Sequence, residues 1–183
     1  RNILAEALER QYKNLSISKE TYQNIEALRQ ENTFTITTGH QLSLFTGPLY
    51  FIYKIVTTIV SCQQLKKLYP QYNFVPIYWM ATEDHDFEEI NHFSFRGQKL
   101  SWHTEQSGMV GNFSTEGLER ISHILKVLLC KSHQGQYLAS LFERAYEQHK
   151  TLASATRYLV NELFTPYGLV IIDGNDKALK ELL

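Results

Sequence analysis

The stretch 34–55, FTITTGHQLSLFTGPLYFIYKI, decides how the rest of the chain is read. Its first five residues are β-branched or aromatic, a composition that suits a pleated, half-buried backbone, and they predict a strand that ends at Gly39. A polar loop over 39–46 leads to Pro48, which suits the first turn of a helix because its missing N–H would be unpaired there anyway. Leu49, Ile52, Tyr53, Val56, Ile59 and Val60 then recur at helical spacing and predict one apolar face. Tyr69 and Pro70 close that helix. The next run, NFVPIYWMA over 73–81, reads as a nearly all-apolar second strand. Strand, helix and a second strand buried on both faces make a βαβ unit of a parallel sheet.

Residues 1–33 read as amphipathic helix, with Ile3, Leu4, Leu8 and Tyr12 on one stripe and Ser18 as a cap before a second run. Downstream of the second strand, NHFSFRGQKLSWH alternates about Arg96 and Gly97 like a hairpin. Helical patterns cover about 115–131 and 136–164, the latter broken near 149–151, and LVIID over 169–173 reads as a third buried strand. The organisation expected is a helical segment over 1–33, the first part of an α/β core over 34–90, a hairpin plus helical insertion over 91–165, and a return to the core over 166–183.

The 183 residues, 43% apolar and 20% charged, have the balance of an ordinary globular chain rather than a disordered one. A net charge of −1 argues against a protein built to grip a nucleic-acid backbone, and the 11 tyrosines and 10 phenylalanines lack a matching basic stripe. Cys62 and Cys130 each fall inside an apolar helical pattern and read as buried free thiols in a reducing cytoplasm. No run has the apolar length of a membrane span. The chain opens on Arg1 and stops in KALKELL as a helix gathers, so a piece of a longer polypeptide is expected.

Ligands of open parallel sheets bind beyond the carboxyl ends of the strands. Three such ends can be located, at 38–41, 81–86 and 173–176, and all are polar. At the first, Gly39 and Gly47 let the backbone approach a ligand while His40, Gln41 and Thr46 offer hydrogen bonds. The helix that follows presents the positive end of its dipole to an anion. The spacing matches neither a phosphate loop nor a dinucleotide fingerprint, and the same residues also suit a capped turn. Lys54, on the far side of the helix from the apolar stripe, reads as solvated. At the second end, Asp84, His85 and Asp86 form the densest ionisable cluster, suited to proton transfer or to a hard cation, while Glu88 and Glu89 read as the acidic start of a helix. The remaining histidines and the two cysteines lack metal-ligand spacing, so a structural zinc site is not expected and no residue is assigned as a metal ligand; whether the protein uses a metal is left open by the sequence.

TTGHQLSLFTGPLYFIYK followed by VPIYWMATEDHDFEEINH and then YGLVIIDGND resembles the BshC family, the cysteine-adding enzymes of bacillithiol biosynthesis. His40 stands where many members have a second glutamine. The resemblance implies a Rossmann-like parallel sheet core similar to that of class I aminoacyl-tRNA synthetases, a mostly helical insertion, and a longer protein that dimerises through a coiled-coil arm. It implies a cytoplasmic ligase that joins cysteine to glucosaminyl malate through an amide bond after activating the cysteine carboxylate with ATP, its partners being small molecules rather than nucleic acid or membrane. In that scheme Gly39, His40, Gln41, Thr46 and Gly47 bind nucleotide or substrate, and Asp84, His85 and Asp86 are catalytic. The 183-residue piece alone is expected to be inactive. Two other readings of the cluster stay open: a nucleotidyltransferase or metal-assisted hydrolase, and a non-catalytic binding module.

Overall fold

The computed structural model describes residues 1–181. It is an α/β protein in which helices α1 (Asn2–Tyr12) and α2 (Lys19–Ala27) lead into strand β1 (Thr33–His40), helix α3 (Leu49–Leu68) and strand β2 (Asn73–Met80). A short helix α4 (Phe87–Ile90), a hairpin of β3 (His92–Phe95) and β4 (Gln98–Ser101), and helices α5 (Glu119–Leu129), α6 (His133–Gln148) and α7 (Leu152–Phe164) follow. Strand β5 (Val170–Asp173) and helix α8 (Lys177–Lys180) end the described chain. Leu182 and Leu183, the last two residues of the expected return to the core, lie outside the described residues.

Contacts divide the chain into two compact units. The first comprises Arg1–His40, Leu49–Ala81 and Val160 onward; the second comprises Gln41–Pro48 and Thr82–Leu159. The first holds the three-stranded parallel sheet, in the order β1-β2-β5, with Thr33 opposite Asn73 through to His40 opposite Met80, and Ile77 opposite Val170 through to Met80 opposite Asp173. Val75, Ile77, Tyr78 and Met80 of β2 and Val170 to Ile172 of β5 are buried, as parallel strands covered on both faces must be. At the carboxyl end of β5, the indole of Trp79 lies where a Cβ on Gly174 would stand, so the close approach requires glycine. Ser18 caps α2 by accepting a hydrogen bond from the Thr21 N–H (3.1 Å).

Three expectations fail here. The buried face of α3 is Phe51, Ile55, Thr58, Ile59 and Cys62, whereas Leu49, Tyr53, Val56 and Val60 are exposed. The helix is apolar on nearly every side, so periodicity alone could not choose the face. Ile3 is exposed as well: α1 buries its small side, Ala5 and Ala7, together with Leu8 and Tyr12. Cys62 is buried, and burial pushes its thiol up to about 11, but Cys130 is exposed at the end of α5, its sulfur against the Val127 carbonyl.

In the second unit, the β3–β4 hairpin turns through Arg96 (φ +49°) and Gly97 (φ +78°), the paired positive φ of a tight two-residue turn. Helices α5 and α6 pack against each other, with Ile121, Leu125, Leu141 and Ala145 buried. The helical pattern breaks at 149–151 as expected: His149 is extended, its carbonyl accepts from the Thr115 hydroxyl (2.7 Å), and α7 restarts at Leu152. Trp102 is buried against Phe87 and Phe113 and donates from its indole to the Glu116 carbonyl (3.1 Å). No described helix is long and apolar enough to cross a membrane.

Candidate functional site

The sheet unit contributes the start of the first loop. Strand β1 continues through Gly39 to His40, two residues beyond the Phe34–Thr38 run that its composition suggested. The Gly39 carbonyl accepts a hydrogen bond from the Lys54 ammonium, which also lies 5.4 Å from the centre of the Tyr50 ring. Lys54 is therefore tied back to the strand end rather than simply solvated. Its only signal in the sequence was its place early in the helix that follows the loop. The His40 carbonyl accepts from the Ala81 N–H (3.2 Å) and the Tyr78 hydroxyl (3.3 Å), and its ring meets Phe51 edge-on at 5.0 Å.

The remainder of the loop, Gln41–Pro48, belongs to the second unit. Leu42, Leu44 and Phe45 are buried there, while Gln41, Thr46 and Gly47 are half-exposed. Phe45 (φ +50°), Thr46 (φ +68°) and Gly47 (φ +48°) take positive φ in succession, two of them without the freedom of glycine. Aromatic rings surround Phe45, with centroids at 4.4 Å for Tyr146 and 5.1 Å for both Phe93 and Phe142, and the Tyr146 hydroxyl accepts from the Phe45 N–H (2.9 Å). Apolar residues of the loop, with Ser43, thus anchor it from inside, and Gln41, Thr46 and Gly47 are left half-exposed. Neither Phe45 nor Tyr146 was singled out from the sequence; a phenylalanine between polar loop residues was the available signal.

The second loop is organised by Asp84. One carboxylate oxygen accepts from the backbone N–H groups of His85 (2.7 Å) and Asp86 (3.1 Å), and the other accepts from the Gln41 side-chain amide (2.9 Å). The two loops, 43 residues apart at these positions, are thereby joined by one hydrogen bond. A third segment braces the second loop: Val110 N–H donates to the Asp84 carbonyl (2.8 Å) and Gly111 N–H to the Thr82 carbonyl (3.0 Å). A Cβ on Gly111 would stand 2.7 Å from both Cβ and O of Thr82, so only glycine permits this approach. His85 and Asp86 are exposed; Asp86 precedes α4 without using its side chain as a cap. Glu83, a residue the sequence did not single out, buries its Oε2 without a hydrogen-bond partner.

The Gln41 amide, followed by the Asp86 N–H, holds the Asp84 carboxyl below its usual range. A carboxylate with a lowered folded pKa adds stability that is complete above its unfolded value, about 3.9, and is lost as pH falls through the folded value. Gln41→Ala removes the largest contribution, so the Asp84 carbon resonance followed by NMR should titrate at higher pH than in the parent protein. An unchanged midpoint would mean that the amide does not bear on the carboxylate.

The third strand end carries little spare chemistry. Asp173 accepts from the Asn175 N–H (2.9 Å), and Asp176 caps α8 by accepting from the Ala178 and Leu179 N–H groups (2.9 and 3.3 Å). Gln11 donates to the Asp173 carbonyl and to Asp176 (3.1 and 3.4 Å). Among the described residues, no group of three or more His, Cys, Asp or Glu side chains is arranged to hold a metal ion.

The chain is similar to known proteins along its whole length. The family model for the N-terminal Rossmann-like domain of "Bacillithiol biosynthesis BshC" matches residues 1–183. Proteins named "Putative cysteine ligase BshC" from Flavobacterium psychrophilum and Flavobacterium johnsoniae are 59% and 58% identical to it, over 99% and 97% of this chain and 34% of each relative. One of the same name from Christiangramia forsetii is 50% identical over 99% of this chain and 34% of its own length. The chain therefore spans about a third of the relatives it matches. A parallel sheet with its polar loops at the strand ends, and a family match from the first residue to the last, lead to one conclusion: the chain belongs to the BshC family of bacillithiol biosynthesis, in its N-terminal Rossmann-like domain.

Proposed function

We propose that this domain forms part of the active site of a cysteine ligase, in which a longer polypeptide joins cysteine to the amine of glucosaminyl malate. The observation that carries the reading is the Gln41–Asp84 hydrogen bond, which unites the loops following two adjacent parallel strands, where ligands of such sheets bind. A free carboxylate is a poor acyl donor, and ATP supplies the activation. The cysteine carboxylate attacks phosphorus, pyrophosphate leaves, and the amine then attacks the acyl carbon. The C–N bond forms as the bond to the nucleotide oxygen breaks, and the nitrogen gives up a proton. Gln41, Thr46 and the backbone of Gly47 contact the nucleotide. Asp84 keeps Gln41 and the 84–86 backbone in place, His85 takes the proton, and Asp86 binds the cysteine ammonium.

The site draws on small molecules and needs no nucleic acid or membrane. The full-length protein acts as a cytoplasmic homodimer, and the domain alone is inactive. A metal-assisted hydrolase is less well supported, because both Asp84 oxygens are already engaged by protein donors. The test is to supply the full-length protein with ATP, cysteine and glucosaminyl malate and to seek the amide-linked thiol by mass spectrometry. Hydrolysis of ATP without that product, with or without cysteine, would remove the ligase reading.

A further inference from the structure

We infer that Tyr146 is a positioning residue for the nucleotide-binding loop: it holds Phe45, Thr46 and Gly47 in the backbone shape that receives the phosphates. The inference rests on the ligase reading for the identity of the ligand, but its geometry belongs to the second unit alone. Tyr146 lies on α6, 101 residues from Phe45, and is 2% exposed. A phenylalanine would fill the same space. Phe45 N–H lies within hydrogen-bonding distance of the buried hydroxyl, and this bond gives the oxygen a use that packing does not.

The loop needs such a hold. Phe45 and Thr46 adopt positive φ although each carries a Cβ, a conformation that persists only where the surroundings over-determine it. What surrounds Phe45 is Tyr146, Phe142 and Phe93, one ring from the hairpin and two from α6. The helical insertion therefore sets the shape of the loop at its polar, half-exposed positions, Thr46 and Gly47. These are the residues assigned above to the nucleotide.

The test uses the full-length protein with ATP, cysteine and glucosaminyl malate as probes. Tyr146→Phe removes the acceptor and keeps the ring; Phe93→Leu disturbs the half-buried side of the cage and guards against a Tyr146 variant that does not fold. In Tyr146→Phe the Phe45 amide should exchange with deuterium faster, and KM for ATP should rise about tenfold. In Phe93→Leu the rise should be about threefold. In both, kcat should stay within about threefold of the parent, and KM for cysteine and for the amine within about twofold. A merely structural role would instead lower kcat with the active fraction and leave KM for ATP unchanged, and that result overturns the inference. If the parent binds ATP but forms no amide, the ligase reading fails and the calorimetric Kd for ATP in the two variants decides the inference by the same ratios. If the parent does not bind ATP, both fall.

Discussion

Asp84→Ala in the full-length protein is expected to lower kcat/KM for thiol formation by at least about a hundredfold, and Asp84→Asn by about tenfold. The alanine variant leaves the His85 and Asp86 N–H groups and the Gln41 amide without their acceptor. Hydrogen bonds to a charged group are worth about 1.5–3 kcal/mol each, and a hundredfold loss corresponds to about 2.7 kcal/mol, so losing two of the three suffices. Asparagine preserves the shape. Its oxygen can accept both backbone bonds, and Gln41 can turn its amide to accept from the new nitrogen. The loss in Asp84→Asn therefore measures the contribution of charge, and the further loss in Asp84→Ala that of the hydrogen-bonded geometry. Equal losses in both would assign Asp84 a direct chemical role, and parent-like rates in both would remove the 82–86 loop from the site.

The parts of this arrangement that the sequence disclosed are those set by local patterning. FTITT and NFVPIYWM are strands because β-branched and aromatic residues fill them, and the polar strand ends follow from that topology. What stayed hidden depends on contacts distant in the chain. The Gln41–Asp84 bond spans 43 residues and the Phe45–Tyr146 bond 101, and no spacing rule reaches either. The loop was an even choice between a capped turn and a ligand site because it is anchored from one side and polar on the other. In α3 the failure has a different origin. Apolar side chains lie all round the helix, and only the parallel sheet selects Phe51 and Ile55 over Tyr53 and Val56. A lysine on a helix surface carries no mark of its partner, so the tie of Lys54 to the strand-end carbonyl of Gly39 is not legible in the sequence.

Gly47→Ala should be the most disruptive single-methyl change in the first loop. At φ +48° and ψ −138° the backbone is in a region that residues with a Cβ avoid, and the added carbon would stand 2.4 Å from Ser43 Cβ and 3.0 Å from its hydroxyl. Backbone strain of about 1–3 kcal/mol and overpacking of a similar size together predict a loss of about 2–6 kcal/mol in the native loop conformation. The chain can escape by rearranging 41–48, which would free Phe45 from its cage and raise KM for ATP. Alternatively it keeps the loop and loses global stability, seen as a lower melting temperature. Deuterium exchange over 41–48 separates the two outcomes. Ser43→Gly introduced into Gly47→Ala removes the colliding Cβ but not the unfavourable φ, so it should recover part of the loss. Full recovery would make the collision the whole cause, whereas no recovery would make it the backbone. If Gly47→Ala melts, exchanges and turns over like the parent, the positive-φ turn is not what shapes this loop.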